Sequence, residues 1–180
     1  MNTMNTKQTH PVIGAIVCVI VALMWQPAFS AGQEDMDQKV KASMALLQSE
    51  AAKHGSVKIE GTDVIAGKEV PVLYFGSSRI NNNFDLVDGV VKKMGGTATI
   101  FVKSGENFVR VATNVKKDDG SRAVGTILDP NGKVIGNIRN NQPYYGEATI
   151  LGKDYMTGYE PIRDSANNVV GIYYVGYLKE

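Results

Sequence analysis

Residues 143–180 read PYYGEATILGKDYMTGYEPIRDSANNVVGIYYVGYLKE, and this stretch decides the fold class. Polar and apolar residues alternate within it, and turn-forming residues interrupt the alternation at Gly152–Lys153 and at Asn167–Asn168. Alternation with a period of two, bounded by turn residues, predicts half-buried β-strands. The predicted strands are Glu147–Leu151, Asp154–Ile162 and Val169–Leu178.

Tyrosine is concentrated in this stretch, since all but one of the chain's eight tyrosines lie between Tyr144 and Tyr177. Several tyrosines on one curved sheet can line a small pocket, because each ring is apolar and each hydroxyl can hydrogen-bond a ligand. Tyr155 and Tyr159 share one face of their predicted strand, and Tyr145 precedes the sheet. We predict that these three contact a ligand, and core packing is the alternative for each ring.

Further strands and helices are predicted upstream. Thr97–Val102 and Phe108–Val115 alternate on either side of a glycine turn, which predicts a hairpin. Ser56–Phe75 is also rich in strand formers. Lys133–Gln142 fits either a short helix or a lid over the sheet.

Two segments have helical periodicity. Glu34–His54 repeats apolar residues at three- and four-residue spacing, which predicts a long amphipathic helix, and Phe84–Met94 predicts a short one. The predicted fold class is α+β, with the long N-terminal helix packed on a five-stranded antiparallel sheet. The core sheet spans about residues 97–178.

Two arginines stand in otherwise apolar stretches. Arg110 shares one face of its predicted strand with Ala112, and Arg122 begins a short extended stretch that has no other charge. A guanidinium can hold a carboxylate through two parallel hydrogen bonds, so both arginines are predicted to bind an anion. The alternatives are a solvent-exposed sheet face for Arg110, and a structural ion pair with Asp118 or Asp164 for Arg122.

The N-terminal segment, residues 1–30, is predicted to be a cleaved signal peptide. Val12–Met24 is an uncharged apolar run, and Ala28–Ser30 supplies small residues for a cleavage site. The run is shorter than the roughly 20 apolar residues that a membrane span needs, and an uncleaved N-terminal anchor is the alternative. We expect a single ligand-binding domain over residues 31–180, periplasmic or secreted, with no attached output domain.

The composition argues against several function classes. The net charge of +1 provides no basic surface of the kind that nucleic-acid binding needs. His54 is the only histidine beyond the leader, and no cysteine follows Cys18, so a Ser-His-Asp arrangement would have to use His54. Ser77–Ser78 lacks the glycines of a nucleophile elbow, and metal-ligand spacing is absent. We predict that the protein is not an enzyme, and that it uses no metal and no cofactor.

Six pieces of the sequence carry a family resemblance: GTATIF, FVRVATNV, DGSRAVGTILDP, YGEA, LGKDYMTGYEPIRD and VVGIYYVG. In order and spacing they resemble the single Cache domain, a periplasmic sensor domain of methyl-accepting chemotaxis proteins and sensor kinases, over Phe84–Tyr177. The resemblance implies a PAS-like fold and a pocket for a small molecule, often acetate, propionate, lactate or pyruvate. It also implies ligand contact for the residues in the matching motifs: Arg110, Arg122, Tyr145, Tyr155 and Tyr159.

Two functional hypotheses follow. The first is an exported sensor domain that binds a small organic anion, closes the segment 131–145 over it, and passes a signal to a membrane receptor or kinase, for instance in chemotaxis. The second is a periplasmic protein-interaction module without a small ligand. Such a module would dock through its sheet, or would form a homodimer through Met36, Val40 and Met44 of the N-terminal helix.

Overall fold

The structure is a computed structural model that describes Met1 and residues 29–179, apart from the side chains of residues 29–31 and 33. The predicted signal peptide lies almost wholly outside the described residues and stays a prediction. No helix within residues 29–179 is both long enough and apolar enough to cross a membrane.

The described part of the chain contains helices and strands in an α+β arrangement. In chain order they are α1 (Phe29–His54), β1 (Val57–Ile65), β2 (Lys68–Phe75), β3 (Ser78–Arg79), α2 (Asp85–Met94), β4 (Thr97–Ser104), β5 (Asn107–Thr113), α3 (Lys133–Arg139), β6 (Tyr144–Ile150), β7 (Lys153–Arg163) and β8 (Val169–Leu178).

The predicted five-stranded antiparallel sheet is confirmed, with the strand order β5-β4-β8-β7-β6. Strand β8 has the predicted bounds, and β6 and β7 meet at a turn that includes Gly152, whose φ is +79°. The β-rich segment near residue 65 forms a separate sheet with the order β1-β2-β3. Lys133–Gln142 contains the short helix α3, which ends at Arg139.

Helix α1 packs along one face of the five-stranded sheet, as predicted, although it begins at Phe29 rather than at Glu34. Its apolar stripe lies inside the chain: Val40 and Met44 are each 1% exposed and belong to a core cluster with strands β4 and β8. Dimerisation through these two side chains is therefore not supported, because the sheet already covers them.

The opposite face of the sheet carries a second apolar cluster, beneath α3. Three side chains of α3 are buried there, and Tyr159 and Tyr174 from the central strands β7 and β8 form its floor. Their ring centroids are 4.9 Å apart in a tilted arrangement. The sheet is therefore covered on both sides, by α1 on one face and by α3 on the other.

A β-bulge changes which residues of β5 share a face of the sheet. The pairing of β4 with β5 shifts between Ile100, which pairs with Ala112, and Phe101, which pairs with Arg110. The extra residue reverses the alternation beyond it. Ala112 therefore packs in the cluster on the α1 side, whereas Arg110 stacks on Phe101, which belongs to the cluster beneath α3. The prediction that the two share a face is wrong.

Candidate ligand-binding site

A cavity of about 450 Å³ lies between the sheet and α3. Strand β5 contributes Arg110 to its lining and β7 contributes Tyr159, while the segments 127–134 and 147–151 form its walls. We call this space the α3 cavity. Its volume falls within the range of roughly 300–1,000 Å³ that is typical of small-molecule sites.

Arg110 is the buried cation of the α3 cavity, with 4% of its surface exposed. The guanidinium carbon lies 5.0 Å from the centroid of the Phe101 ring, and Nη1 donates a 2.6 Å hydrogen bond to Thr126 Oγ1. The Nε atom is buried and has no hydrogen-bond partner among the described residues. Buried polar groups are nearly always paired, so this vacant donor is an exception among the described residues.

Two backbone hydrogen bonds hold Arg110 in place. Its N–H donates to the Thr126 carbonyl at 2.9 Å, and its own carbonyl accepts from the Gly125 N–H at 2.9 Å. The Thr126 hydroxyl donates to the Ala123 carbonyl at 2.8 Å, so its oxygen is free to accept from the guanidinium. The segment beside β5 therefore fixes both the backbone and the side chain of Arg110.

The charge of Arg110 has no acidic partner within the described residues, because none of the ion pairs there includes it. Burial lowers the pKa of its guanidinium from the ordinary value. Arginine nevertheless remains protonated in proteins, because its ordinary pKa is so high. The α3 cavity therefore holds a buried positive charge that an anion would neutralise.

Tyr159 stands beside Arg110 in the lining and is 1% exposed. Its ring contacts Tyr144 and Tyr174, at centroid distances of 6.3 and 4.9 Å. Burial raises the pKa of its hydroxyl, which therefore stays protonated and can donate a hydrogen bond. The pair presents a cation and a neutral donor to the same space.

Helix α3 and the turn before it cover the α3 cavity. Asp129 Oδ1 accepts a 2.9 Å hydrogen bond from the Asn131 N–H, which forms the predicted turn, and Val134 of α3 lines the cavity. At the other end of α3, Arg163 Nε donates to Asn141 Oδ1 at 2.7 Å. The end of the segment 129–141 is thus attached to β7. Closure by residues 131–145 stays a prediction.

Arg122 lies away from the α3 cavity and binds α2. Its Nη1 and Nη2 donate to the two carboxylate oxygens of Asp88 at 2.8 and 2.7 Å, and Nη1 also donates to the Thr113 carbonyl at 2.8 Å. The guanidinium carbon lies 4.4 Å from the centroid of the Phe84 ring. Arg122 therefore forms a structural ion pair, which was the predicted alternative, but its partner is Asp88 rather than Asp118 or Asp164.

The other predicted tyrosines also lie outside the lining. Tyr145 is on the α1 side of the sheet, where its ring packs near Gly158 and Val40 and its hydroxyl donates to Glu160 at 2.8 Å. Tyr155 packs at the edge of the cluster beneath α3 without lining the cavity. Of the five predicted side chains, the structure brings only Arg110 and Tyr159 together.

Sequence reasoning missed three polar residues of this region. Thr126 holds the Arg110 guanidinium, and Asp129 and Asp154 line the exposed mouth of the α3 cavity. Asp129 could have been identified from the sequence, because it stands in a recognisable turn directly before the ambiguous segment 133–142. Nothing in the local pattern distinguishes Thr126 or Asp154 from ordinary loop and strand residues.

A larger groove, of about 520 Å³, lies between β1 and the turn that joins β7 to β8. Its charged side chains include the exposed Lys58 and Lys103, and Lys58 is already paired with Glu60. No buried, unpaired polar atom belongs to this groove within the described residues. The α3 cavity is therefore the better candidate site.

The chain matches the family model described as the Cache 3/Cache 2 fusion domain over residues 21–180. The matched range includes α1 and the β1–β3 sheet, which lie outside the resemblance at Phe84–Tyr177. None of the curated proteins compared with the chain matches it.

Proposed function

The chain belongs to the Cache 3/Cache 2 fusion domain family, and from this premise we propose that it senses a small organic anion bound in the α3 cavity. Cache domains are extracellular or periplasmic sensor domains, so a sensory role outside the cytoplasm follows from the family. A carboxylate ligand, export by a cleaved signal peptide and signalling through a partner are the further parts of the proposal.

The unpaired Nε of Arg110 is the observation that carries the proposal. Only Nη1 of this guanidinium is hydrogen-bonded within the described residues, so Nε and Nη2 remain as parallel donors on one side of the group. That pair matches the two oxygens of a carboxylate. The buried cation also favours an anion over a neutral ligand, because leaving a charge buried and unpaired is costly.

Ligand binding would be transmitted by the cover of the cavity. A ligand shifts the population toward the conformation that it binds more tightly, and α3 with its preceding turn forms the wall that closes over the ligand. We propose that a membrane receptor or a kinase reads this closure.

The test is a thermal-shift and calorimetry screen of the purified protein against acetate, propionate, lactate, pyruvate and longer carboxylates. A ligand that binds only the native state raises the melting temperature. Arg110→Met removes the charge but keeps a long side chain, so we expect it to abolish the shift. The apo form of this variant should melt no lower than wild type, because an unpaired buried charge has been removed.

Arg122→Met is the matched control, since it changes another arginine that lies outside the α3 cavity. We expect this variant to keep the ligand-induced shift, although its own melting temperature falls. A carboxylate shift that survives Arg110→Met, or one that is lost only in Arg122→Met, would remove Arg110 from the site and overturn the proposal.

A further inference from the structure

The α3 cavity is larger than a short carboxylate requires. Its 450 Å³ suits a molecule closer to drug size, and an acetate at Arg110 would leave most of the space unfilled. Arg110 and Tyr159 are buried, whereas Asp129 and Asp154 are exposed, so the lining runs from an interior floor to a mouth at the surface. A ligand that fills this space carries additional groups beyond the carboxylate.

The mouth has the opposite charge from the floor. Asp129 accepts from the Asn131 N–H at 2.9 Å, and Asp154 accepts from the Thr149 hydroxyl at 2.7 Å. Neither carboxylate has a basic partner within the described residues, because neither belongs to an ion pair there. Two unpaired negative charges therefore line the mouth.

Two other charged side chains belong to the same lining, and together they do not reverse this balance. Glu147 is neutralised by its ion pair with Lys179. Lys133, at the first position of α3, is exposed and is the remaining cation among the described residues that line the mouth. The carboxylates of Asp129 and Asp154 outnumber it, so the mouth favours a positive group.

The wall between the floor and the mouth is apolar. Leu128, Val134 and Ile150 are buried, and Ile127 is 40% exposed. A hydrocarbon chain packed against these side chains would itself be removed from water, at about 25 cal/mol for each Å² of apolar surface buried. From its floor to its mouth, the α3 cavity thus presents a cation, then an apolar wall, then two anions.

We infer that the ligand is an ω-amino carboxylate, whose carboxylate binds Arg110, whose methylene chain packs on the apolar wall, and whose ammonium group lies between Asp129 and Asp154. This inference rests on the proposed function, since the carboxylate is anchored by the same arginine. Such a ligand differs from a short monocarboxylate because it has two charged ends of opposite sign.

The test compares ligands of similar length that share one carboxylate but differ at the far end. Titration calorimetry would use 5-aminopentanoate, hexanoate (a methyl group in place of the ammonium) and glutarate (a second carboxylate), with 4-aminobutanoate and 6-aminohexanoate to vary the length. We expect the best ω-amino acid to bind at least tenfold more tightly than hexanoate and glutarate. In Asp129→Asn/Asp154→Asn this advantage should fall to less than threefold.

Asp119→Asn is the control, because Asp119 is an exposed aspartate in a turn outside the lining, and the advantage should persist in it. Equal binding of hexanoate and 5-aminopentanoate, tighter binding of glutarate, or an advantage that survives the double variant would overturn the inference. If hexanoate and the short carboxylates still bind in an Arg110-dependent manner, the proposed function stands without it. If none of these compounds binds, both fail.

Discussion

Ser43 of α1 donates a 2.7 Å hydrogen bond to the hydroxyl of Tyr177 on β8. The direction is fixed because the single phenol proton is donated to the Met94 carbonyl at 2.8 Å. One side chain of the central strand β8 therefore links α1 to the end of α2. Ser43 is 2% exposed, so water cannot replace the bond without opening the helix–sheet contact.

The first prediction concerns this link. Tyr177→Phe removes both hydrogen bonds and leaves the buried Ser43 hydroxyl without its acceptor, so we expect the free energy of unfolding to fall by about 2 kcal/mol. Urea denaturation measures it. Tyr155→Phe is the control, because that hydroxyl makes no hydrogen bond within the described residues, and it should cost little. A Tyr177→Phe midpoint equal to that of wild type would mean that the link contributes nothing to stability.

The second prediction concerns the close approach of two chain segments after α1. Gly76 has φ +58°, and a Cβ there would lie 1.9 Å from the His54 carbonyl oxygen. Gly76→Ala must therefore move backbone as well as adopt a strained conformation, and we expect a loss of more than about 2 kcal/mol in unfolding free energy.

Gly67→Ala separates strain from steric overlap. Gly67 has φ +77°, but a Cβ there meets nothing within 4 Å, so only the backbone strain of about 1 kcal/mol remains. Chemical denaturation of both variants compares the two costs. Similar losses for Gly76→Ala and Gly67→Ala would show that the contact with His54 adds nothing.

The third prediction is that Arg122 stabilises the folded chain. Its ion pair with Asp88 is partly exposed, with 27% and 45% of the two side chains accessible, so the pair itself is worth only about 0.5–1 kcal/mol. The stacking on Phe84 adds about 0.5 kcal/mol or more. We expect Arg122→Met to lower the unfolding free energy by 1–2 kcal/mol, as estimated from these contacts.

A double-mutant cycle with Asp88→Asn isolates the ion pair. The coupling energy should be about 0.5–1 kcal/mol, and it should shrink as salt is raised, because exposed charges are screened. Additive losses in the two single variants would mean that Arg122 stabilises the chain through Phe84 and Thr113 alone.

Much of the fold is predictable from sequence, because local patterns determine it. Strands β7 and β8 alternate with a period of two and end at turns that contain Gly152 and Asn167, and both strands lie where the pattern puts them. The helical stripe of α1 likewise predicts its own burial against the sheet. Periodicity and turn residues are properties of neighbouring positions, so no long-range information is needed.

The candidate site is less predictable, because it depends on distant contacts. Asp88 lies 34 positions from Arg122, and nothing local to either residue indicates that they pair. The environment of Arg110 depends on a bulge in β5 that a simple alternation does not reveal. Alternation also does not show which face of the sheet α3 covers. Because α3 covers the face that carries Tyr159, that residue lines the cavity and Tyr145 does not.

The last prediction concerns Thr126 as a positioning residue for the ligand anchor. Its hydroxyl receives the Arg110 Nη1 hydrogen bond at 2.6 Å while donating to the Ala123 carbonyl at 2.8 Å. Thr126→Val keeps the shape but removes the acceptor, so the guanidinium loses the one side-chain hydrogen bond that it makes within the described residues. Hydrogen bonds to charged groups are worth about 1.5–3 kcal/mol, and a loss of 1.4 kcal/mol corresponds to tenfold in affinity.

We therefore expect Thr126→Val to weaken binding of the carboxylate identified in the screen by about tenfold or more. Thr126→Ser keeps the hydroxyl and should restore the wild-type affinity. Calorimetric titration of both variants, alongside their unliganded melting curves, separates positioning of Arg110 from general destabilisation. If Thr126→Val and Thr126→Ser bind the carboxylate equally well, the anchor is held by the backbone bonds to residues 125 and 126 and needs no hydroxyl.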